Sequence, residues 1–339
     1  MPWTTRGDLE WAAVACVMWL EQIGAHDQPQ VGSKLARLGV LRRRGLPVPD
    51  GFALPTAVCR EFIDPSRPQL VALLNMSGVD FGELQRRCQA ARELVEHQPY
   101  PPDLEEHLVR AVEELARRTQ LGASLATAVR SSGVLEDLER ASFAGQYDTY
   151  LGMRSPAEAL DSVRKCWASQ YTARAVAYRR HHRLPVILPG IAVGVLQLIR
   201  SRAAGVTFTL NPLTGDADHA VVEANWGFGE SVVAGMVTPD QYLVRKSDGQ
   251  IVQEQIATKD VWSVFDADRG QVSEQPCPPG LRRRPCVSHA EVRHVVELAT
   301  GIERYEGQPQ DVEWAIDESG SFADHVVLLQ HRPVTTWNA

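Results

Sequence analysis

The stretch QDVEWAI at residues 310–316 alternates between polar and apolar side chains, the pattern of a β-strand with one buried face. Val312, Trp314 and Ile316 fall on one face, and the two acids, Asp311 and Glu313, fall on the other. A second strand is predicted at residues 326–330, after a turn around Ser319-Gly320. We therefore expect a β-hairpin that carries carboxylates on one of its faces.

The second strand of this hairpin brings an amide and a cation to the carboxylates. Leu328, Gln330 and Arg332 are spaced two apart, so they are predicted to share a face. In an antiparallel pair, Glu313 can lie across from Gln330, with Arg332 beside Asp311. A carboxylate and an amide oxygen suit Mg²⁺, and an adjacent Arg suits the phosphates that the metal bridges. The alternative is an exposed hairpin face with an ordinary salt bridge.

A second polar stretch, AVRSSG at residues 128–133, is followed by ASFAGQYDT at residues 141–149. Arg130 follows an apolar run, which predicts a position at a strand end, where its guanidinium can fork onto phosphate oxygens. The small residues around Phe143 are typical of a loop that closes over phosphates and offers backbone N–H groups. A solvated turn with a surface Arg is the alternative reading.

A helix is predicted from Lys34 to Arg44, because three Leu residues at positions 35, 38 and 41 lie on one side of it. Gly32-Ser33 precede it, and a Lys behind such a turn at a helix N-terminus is a candidate anion site. Gly45 is expected to cap the helix.

The rest of the chain changes from helical to period-two patterning near residue 190. Two helices are expected between Asp80 and Arg118, and a long helix is expected from the capping box at Ser155 to Pro185. Strands then follow at residues 192–199, 205–209 and 220–224, and a capped helix at residues 288–305. This order predicts an α+β fold with an N-terminal lobe, residues 1–190, and a C-terminal lobe, residues 191–339, with a crevice between them.

Composition restricts the functional classes. The chain has 339 residues and a formal net charge of −7, so it has no general electrostatic attraction to nucleic acid or anionic membranes. Its six cysteines form no CxxC pair, which argues against a zinc site and is typical of a reducing, cytoplasmic setting. The apolar segment at residues 11–20 is shorter than the roughly 20 residues that a membrane span needs. The sequence contains no Walker A, GxSxG or HExxH motif.

Several long motifs together resemble the ATP-grasp nucleotide-binding domain of the phosphoenolpyruvate synthase and pyruvate phosphate dikinase family, to which the rifampicin phosphotransferases also belong. The resemblance runs from about Met18 to Thr336. It is carried, in order, by VGSKLARLG, GLPVPDGFALP, AVRSSGVLEDLERASFAGQYDTYLG, AGVTFTLNPLTGD, VVEANWGFGESVVAGMVTPDQY, QDVEWAI and LLQHRPVTT.

The resemblance implies an ATP-grasp fold that holds Mg-ATP in the crevice between two lobes. Lys34, Arg130 and Arg332 would contact the phosphates, and Glu313 and Gln330 would ligate Mg²⁺. Further residues would form a lid over the phosphates, border the adenine, or lie near adenine or ribose. The lid residues would be Ser142, Phe143, Ala144, Gly145 and Thr149. The hinge strand that borders the adenine would be formed by Gln197, Leu198 and Ile199. Glu223, which precedes a Gly-rich turn, would lie near adenine or ribose.

The chain also departs from the family pattern. The first motif usually reads GGKGAN, and here residues 32–37 read GSKLAR, which predicts a less mobile loop. Members of the family transfer the β-phosphoryl group of ATP to a histidine in a motif like TGGxxSHAA, and the 339 residues contain no such stretch. We therefore expect an ATP-binding subunit that needs a partner carrying the histidine and the acceptor site.

The candidates for the final phosphoryl acceptor are ranked by the resemblance to known families. A phenol or alkylphenol is placed first, because the phenylphosphate synthases have a separate ATP-grasp chain. A split phosphoenolpyruvate synthase or an antibiotic phosphotransferase is placed second. Two other readings are a non-catalytic ATP sensor, which the presence of Glu313, Gln330, Arg130 and Arg332 disfavours, and a truncated dikinase.

Overall fold

The computed structural model describes residues 16–334 apart from 77, 134–136, 139–140, 143–147, 186, 188–189, 230–231, 233–234, 236, 267–270 and 321–324. The chain divides into two units, Met1–Arg43 with Asp50–Leu198, and Arg44–Pro49 with Ile199–Ala339. This division falls after residue 198, whereas the sequence pattern predicted a boundary after residue 190. The reason is that the strand at Ala192–Gln197 pairs with two strands of the first unit.

The first unit contains a five-stranded antiparallel sheet in the order β1-β2-β7-β3-β6. These strands are β1 Met18–Trp19, β2 Gly51–Leu54, β3 Thr127–Ser132, β6 Thr149–Met153 and β7 Ala192–Gln197, and a separate short pair consists of β4 Asp137–Leu138 and β5 Ala141–Ser142. Its helices are α1 Gln28–Arg43, α2 Thr56–Ile63, α3 Arg67–Leu74, α4 Phe81–Glu96, α5 Pro102–Arg118, α6 Pro156–Ser169 and α7 Ala173–His181.

The core of the first unit lies between the sheet and helices α4 to α6. Phe62 and Trp167 stack with their ring centroids 4.8 Å apart, and Tyr100 packs beside both. Burying such aromatic groups supplies a large share of the hydrophobic stabilisation. The predicted stripe of Leu35, with Leu38 and Leu41, is fully buried, which confirms the amphipathic pattern of α1.

The prediction of one long helix from Ser155 to Pro185 was wrong. Helix α6 ends at Ser169, and α7 begins at Ala173. Thr172 has extended backbone angles, and its hydroxyl accepts the N–H of Ala175, so it starts a new helix where the sequence pattern alone continues.

The second unit contains a six-stranded antiparallel sheet in the order β11-β10-β9-β8-β14-β15. These strands are β8 Ser201–Phe208, β9 His219–Trp226, β10 Asp240–Arg245, β11 Ile251–Gln255, β14 Gln310–Asp317 and β15 Val326–Pro333, and a hairpin consists of β12 Val261–Asp266 and β13 Gln271–Pro276. One long helix, α8 His289–Glu306, packs against β14 and β8.

Helix α8 has the start that the sequence predicts. Ser288 accepts the N–H of Glu291, and the Glu291 carboxylate accepts the N–H of Ser288, which completes a capping box. The helix covers the face of the sheet that carries Val312 and Trp314. The indole N–H of Trp314 donates to the Thr207 hydroxyl on the neighbouring strand. The opposite face of the sheet is therefore the one that carries the predicted polar residues.

The observed mixture of helices and antiparallel sheets confirms the predicted α+β class. All six cysteines are buried free thiols. In the part of the chain that the structure describes, no helix is both long and apolar enough to cross a membrane.

Candidate nucleotide-binding site

Helix α1 is interrupted at Gly32, whose φ of 74° and ψ of 166° are not helical. A Cβ at this position would lie 2.4 Å from the carbonyl oxygen of Ser132, at the end of β3. Only glycine combines this backbone angle with so close an approach. The kink therefore creates a fresh helix N-terminus at residues 33–35, directly against the end of β3.

This N-terminus has the polar groups of an anion site. The Leu35 N–H donates to the Ser132 hydroxyl over 3.4 Å. The Ser33 side chain is buried, and its hydroxyl has no hydrogen-bond partner among the residues that the structure describes. A buried unpaired hydroxyl is costly, so it points to a polar ligand. Lys34 lies between these two residues, and the helix dipole adds to its positive charge.

Arg130 and Thr149 lie on the face of the first sheet that α1 covers. They are directly paired on β3 and β6, and Arg130 is also paired with Gly194 on β7. A Cβ on Gly194 would lie 2.6 Å from a methyl of Leu35, so this row points toward α1. Directly paired residues in an antiparallel sheet share a face. The sheet register thus brings Arg130 and Thr149 to the side on which Lys34 is found.

The pKa of a neighbouring buried thiol, Cys166, is affected by the charge of Lys34. Burial raises the pKa of Cys166, the Asp148 carboxylate raises it further, and the Lys34 ammonium partly offsets both. Asp148 immediately precedes Thr149, and its carbonyl accepts the hydroxyl of Ser131. Lys34 therefore lies within electrostatic reach of the β3 and β6 ends.

The other predicted residues of the first unit are less informative. Phe143, Ala144 and Gly145 lie outside the described residues, and the backbone of Ser142 pairs with Asp137 in the short β4–β5 pair. Gln197 is the last residue of β7, and its N–H donates to Asp50. Leu198 follows it, and its N–H donates to the carbonyl of Ala126.

The predicted hairpin is present in the second unit. Glu313 on β14 is directly paired with Gln330 on β15, and Asp311 is paired with Arg332. The Arg332 Nε donates to the Asp311 carboxylate over 2.8 Å, and Asp311 is buried whereas Arg332 is 43% exposed. The cross-strand arrangement inferred from alternation is thereby confirmed, and its Arg is held in place with its guanidinium partly in solvent.

The prediction that Leu328 shares a face with Gln330 was wrong. The register shifts by one residue after Glu313, so that Leu328 is paired with Trp314 on the buried face. Leu329 is the extra residue of this β-bulge. Because of the bulge, Leu328 lies on the buried face of β15, whereas Gln330 lies opposite Glu313 on the other face.

An apolar row crosses the same face beside the Glu313–Gln330 row. Ala204, Ala315 and Val327 are paired in sequence across β8, β14 and β15, and Ile199 packs with them. All four side chains are buried, and Gly229 lies close to the row, since a Cβ on Gly229 would be 3.3 Å from the Cβ of Ala204. This patch was not predicted from the sequence; small residues on both predicted strands were its only signal.

Three rows thus follow one another on this face, about 6.6 Å apart for two residues along a strand. The first row is apolar, the second holds Glu313 and Gln330, and the third holds Asp311 and Arg332. An apolar ring, a divalent cation and a phosphate are the groups that these rows would bind, in that order. The same order of groups is found along one molecule of Mg-ATP.

Glu223 lies in the second row, but Val206 separates it from Glu313. Its carboxylate accepts the amide N–H of Gln241 over 2.8 Å. Neighbouring strands are about 4.8 Å apart, so Glu223 is roughly 10 Å from Glu313 in the sheet. Its place is lateral to the metal-ligand pair, and it is not part of the apolar patch.

The donors present fit Mg²⁺ as a bridging ion. In the described residues no three His, Cys, Asp or Glu side chains form a metal-binding group. Mg²⁺ commonly takes only one or two protein oxygens and completes its octahedron with water and substrate phosphates. The oxygen pair of Glu313 and Gln330 meets this requirement, whereas a zinc or calcium cage would need more protein ligands.

Known proteins that resemble this chain bear on its nucleotide site. Residues 28–339 match the family of the pyruvate phosphate dikinase AMP/ATP-binding domain. A probable phosphoenolpyruvate synthase of Staphylothermus marinus is 37% identical over 95% of this chain and 41% of the relative. One from Methanothermobacter thermautotrophicus is 36% identical over 95% of this chain and 46% of the relative.

A probable phosphoenolpyruvate synthase of Methanocaldococcus jannaschii is 35% identical over 98% of the chain, which corresponds to 27% of that relative. The chain thus spans less than half the length of these curated relatives. The chain belongs to the pyruvate phosphate dikinase AMP/ATP-binding domain family.

Proposed function

We propose that this chain is the ATP-binding part of a phosphoenolpyruvate synthase-type dikinase. The observation that carries the proposal is the three-row face of the second sheet, where an apolar patch, the Glu313–Gln330 pair and the Asp311–Arg332 pair follow one another. The helix N-terminus at Lys34 and the Arg130–Thr149 pair in the first unit supply further phosphate contacts.

The adenine would lie beside Ile199, next to the row of Ala204, Ala315 and Val327, and the phosphates near Arg332. Mg²⁺, held by Glu313 and Gln330, would neutralise phosphate charge when bound. Arg332 is oriented by Asp311, and a preoriented cation stabilises developing charge without reorganisation. Lys34 and Arg130 would add fixed positive charge, so the protein contributes position and electrostatics rather than a covalent group.

The acceptor in this proposal is a histidine that the 339 residues do not supply in a recognisable motif. The imidazole nitrogen forms a bond to the β-phosphorus as the bond to the α-phosphate oxygen breaks, which releases AMP. Water then takes the γ-phosphoryl group, and inorganic phosphate leaves. The histidine would lie on another domain or a partner chain, and its phosphoryl group would pass to a small acceptor.

Pyruvate is the better supported final acceptor. The names of the three relatives point to phosphoenolpyruvate synthesis, which the sequence analysis ranked second, and none of the three names points to a phenol. To test this, the tagged chain is purified from its own cells with any histidine-bearing protein that accompanies it. AMP formation is then measured with pyruvate or with phenol as the added acceptor.

The label experiment tests the transfer itself. With ATP labelled at the β-phosphorus, the label should appear on the histidine-bearing protein, and it should be lost on acid treatment as expected for a phosphoramidate. With ATP labelled at the γ-phosphorus, the label should appear as inorganic phosphate. Stable transfer of γ label alone to the histidine would contradict a dikinase.

A further inference from the structure

A cleft of about 520 Å³ lies on the same face of the six-stranded sheet, over β9, β10 and β11. Its floor is a continuous apolar row formed by Phe208, Val221 and Leu243, which are directly paired across β8, β9 and β10. Small-molecule pockets commonly have volumes of about 300–1,000 Å³. The cleft is therefore large enough for a ligand of its own, and its floor suits a flat ring.

The polar side chains in the walls of the cleft are amides and one carboxylate, and Pro212 and Leu213 are apolar wall residues. Gln241, Gln253 and Gln255 stand on the two outer strands, and Glu223 accepts the amide N–H of Gln241. The opposite wall is the turn that begins at Asn211, whose side chain accepts the N–H of Leu213 over 3.0 Å. Among the described residues that line the cleft, none is Lys, Arg or His.

This lining selects a class of ligand. Amide side chains both donate and accept hydrogen bonds, so they match the mixed edge of a heteroaromatic ring. An ionised carboxylate only accepts, so Glu223 suits a hydroxyl or amine donor. Without a cation in the walls, and with Glu223 facing the space, a phosphate group would be repelled.

We propose that this cleft binds a neutral heteroaromatic molecule of the purine nucleoside class, at a site lateral to the apolar patch, the Glu313–Gln330 pair and the Asp311–Arg332 pair that fit Mg-ATP. The cleft shares none of its lining residues with the apolar patch or with the Glu313–Gln330 pair. Phe208 lies beside Asp311 in the third row, so the site borders the phosphate-binding end. The proposal goes beyond the proposed function and does not depend on it.

Guanosine is the probe, and GMP is its anionic counterpart. The whole chain is first saturated with Mg²⁺ and AMP-PNP, so that the nucleotide rows are filled, and guanosine is then titrated by calorimetry. One equivalent of guanosine should bind, and GMP should bind at least about tenfold more weakly, because the walls carry a carboxylate and no cation. No guanosine binding at millimolar concentration, or equal binding of GMP, would overturn the proposal.

A charge introduced into the cleft sharpens the test. Leu243→Arg should weaken guanosine binding and narrow or reverse the preference over GMP, while AMP-PNP affinity stays within about twofold. Ser247→Arg, in the exposed turn after β10, is the matched control and should leave both affinities unchanged. Circular dichroism is used to check that both variants fold.

Two other outcomes separate this site from alternatives. Guanosine that competes with AMP-PNP for a single site would show that the cleft is not a second site. If Leu243→Arg leaves guanosine binding unchanged but abolishes co-purification of the histidine-bearing protein, the cleft is a protein contact and the proposal is wrong. Failure of AMP-PNP itself to bind would count against the proposed function only, since guanosine can be titrated without it.

Discussion

The two units present their candidate ligand-binding residues in different ways. In the second unit, Glu313, Gln330 and Arg332 project from adjacent strands, and the strand register fixes their order. In the first unit, Lys34 follows a helix break at Gly32 that depends on a close approach to Ser132. The alternation of polar and apolar residues along the sequence specifies a sheet face. A helix terminus that lies against a strand end depends instead on one backbone conformation, here that of Gly32.

This difference predicts different failures. A substitution on the sheet face should remove one ligand contact and leave the strand register intact. A substitution at the helix break should disturb the backbone itself, so that folding and binding change together. The following variants separate these two kinds of site.

The largest effect is expected from the phosphate-binding cations. Lys34→Ala, Arg130→Ala and Arg332→Ala should each lower phosphoryl transfer by about 10²–10³-fold or more, because each removes a preoriented positive charge. Transfer is followed as AMP formation in the presence of the histidine-bearing protein. Arg304→Ala, at an exposed position near the end of α8, is the control. Near wild-type rates in all three variants would exclude this set of residues from the site.

A metal-ligand variant should have the next largest effect. Glu313→Gln keeps the shape of the side chain but removes its charge, so the Mg²⁺-dependent part of ATP affinity should fall by about 10–100-fold. ATP affinity measured without divalent cation should change little. Glu318→Gln, exposed just after the same strand, is the control. An unchanged Mg²⁺ dependence would show that Glu313 is not a ligand.

The helix break can be tested with a pair of glycines. Gly32 and Gly45 have nearly the same φ, 74° and 75°, but a Cβ at Gly45 meets nothing within 4 Å. Both Gly→Ala variants should lose about 1 kcal/mol of unfolding free energy from the backbone angle, and Gly32→Ala should lose up to about 3 kcal/mol in total. Only Gly32→Ala should also weaken ATP binding.

Equal losses of unfolding free energy in chemical denaturation of the two glycine variants would contradict this account of the break. It would mean that contact with Ser132 contributes nothing to the conformation at Gly32. The comparison between units would then rest on the sheet face alone.

The smallest effect concerns the capping box of α8. Burial by itself would raise the pKa of Glu291, but the N–H of Ser288 and the guanidinium of Arg202 outweigh it and hold that pKa below its ordinary value of 4.5. A carboxylate whose pKa is lower in the folded than in the unfolded state stabilises the fold at pH values above its unfolded-state pKa. This stabilisation is lost as the pH falls through the folded-state pKa. Acidification below about pH 4.5 should therefore destabilise this helix start.

Glu291→Gln should lower the free energy of unfolding by about 1 kcal/mol at pH 7, and the difference should shrink toward zero near pH 3. Urea unfolding at the two pH values measures this. Glu297→Gln, on an exposed position of the same helix, should have no comparable effect. A difference that persists at pH 3 would mean that the charge of Glu291 is not the cause.

Much of the second unit could be predicted because its strands alternate. The pairing of Glu313 with Gln330 and of Asp311 with Arg332 required only the assumption of an antiparallel hairpin, and both pairings are present. The bulge at Leu329 could not be predicted, because an extra residue in a strand leaves no mark on the pattern of Leu328 and Leu329. The apolar row of Ala204, Ala315 and Val327 could not be predicted, because alanine occurs on both buried and exposed faces of strands.

The first unit was harder to predict because its features depend on contacts distant in sequence. Gly32 and Ser132 are one hundred residues apart, and neither residue alone indicates that they meet. Likewise, Arg130 could be assigned to a strand, but the predicted position at the strand end was wrong, because β3 continues to Ser132. Its pairing with Gly194, and hence its side of the sheet, comes from tertiary structure. The break at Thr172 was missed because a single capping residue overrode a continuous helical pattern.

Calorimetry with Mg-AMP-PNP on the wild-type chain tests the central claim most directly. The three rows predict one binding site per chain, with an affinity that falls when Mg²⁺ is removed and falls similarly in Glu313→Gln. A folded chain that shows no heat of binding, or that binds equally well with and without Mg²⁺, would contradict the assignment of these rows to the magnesium nucleotide.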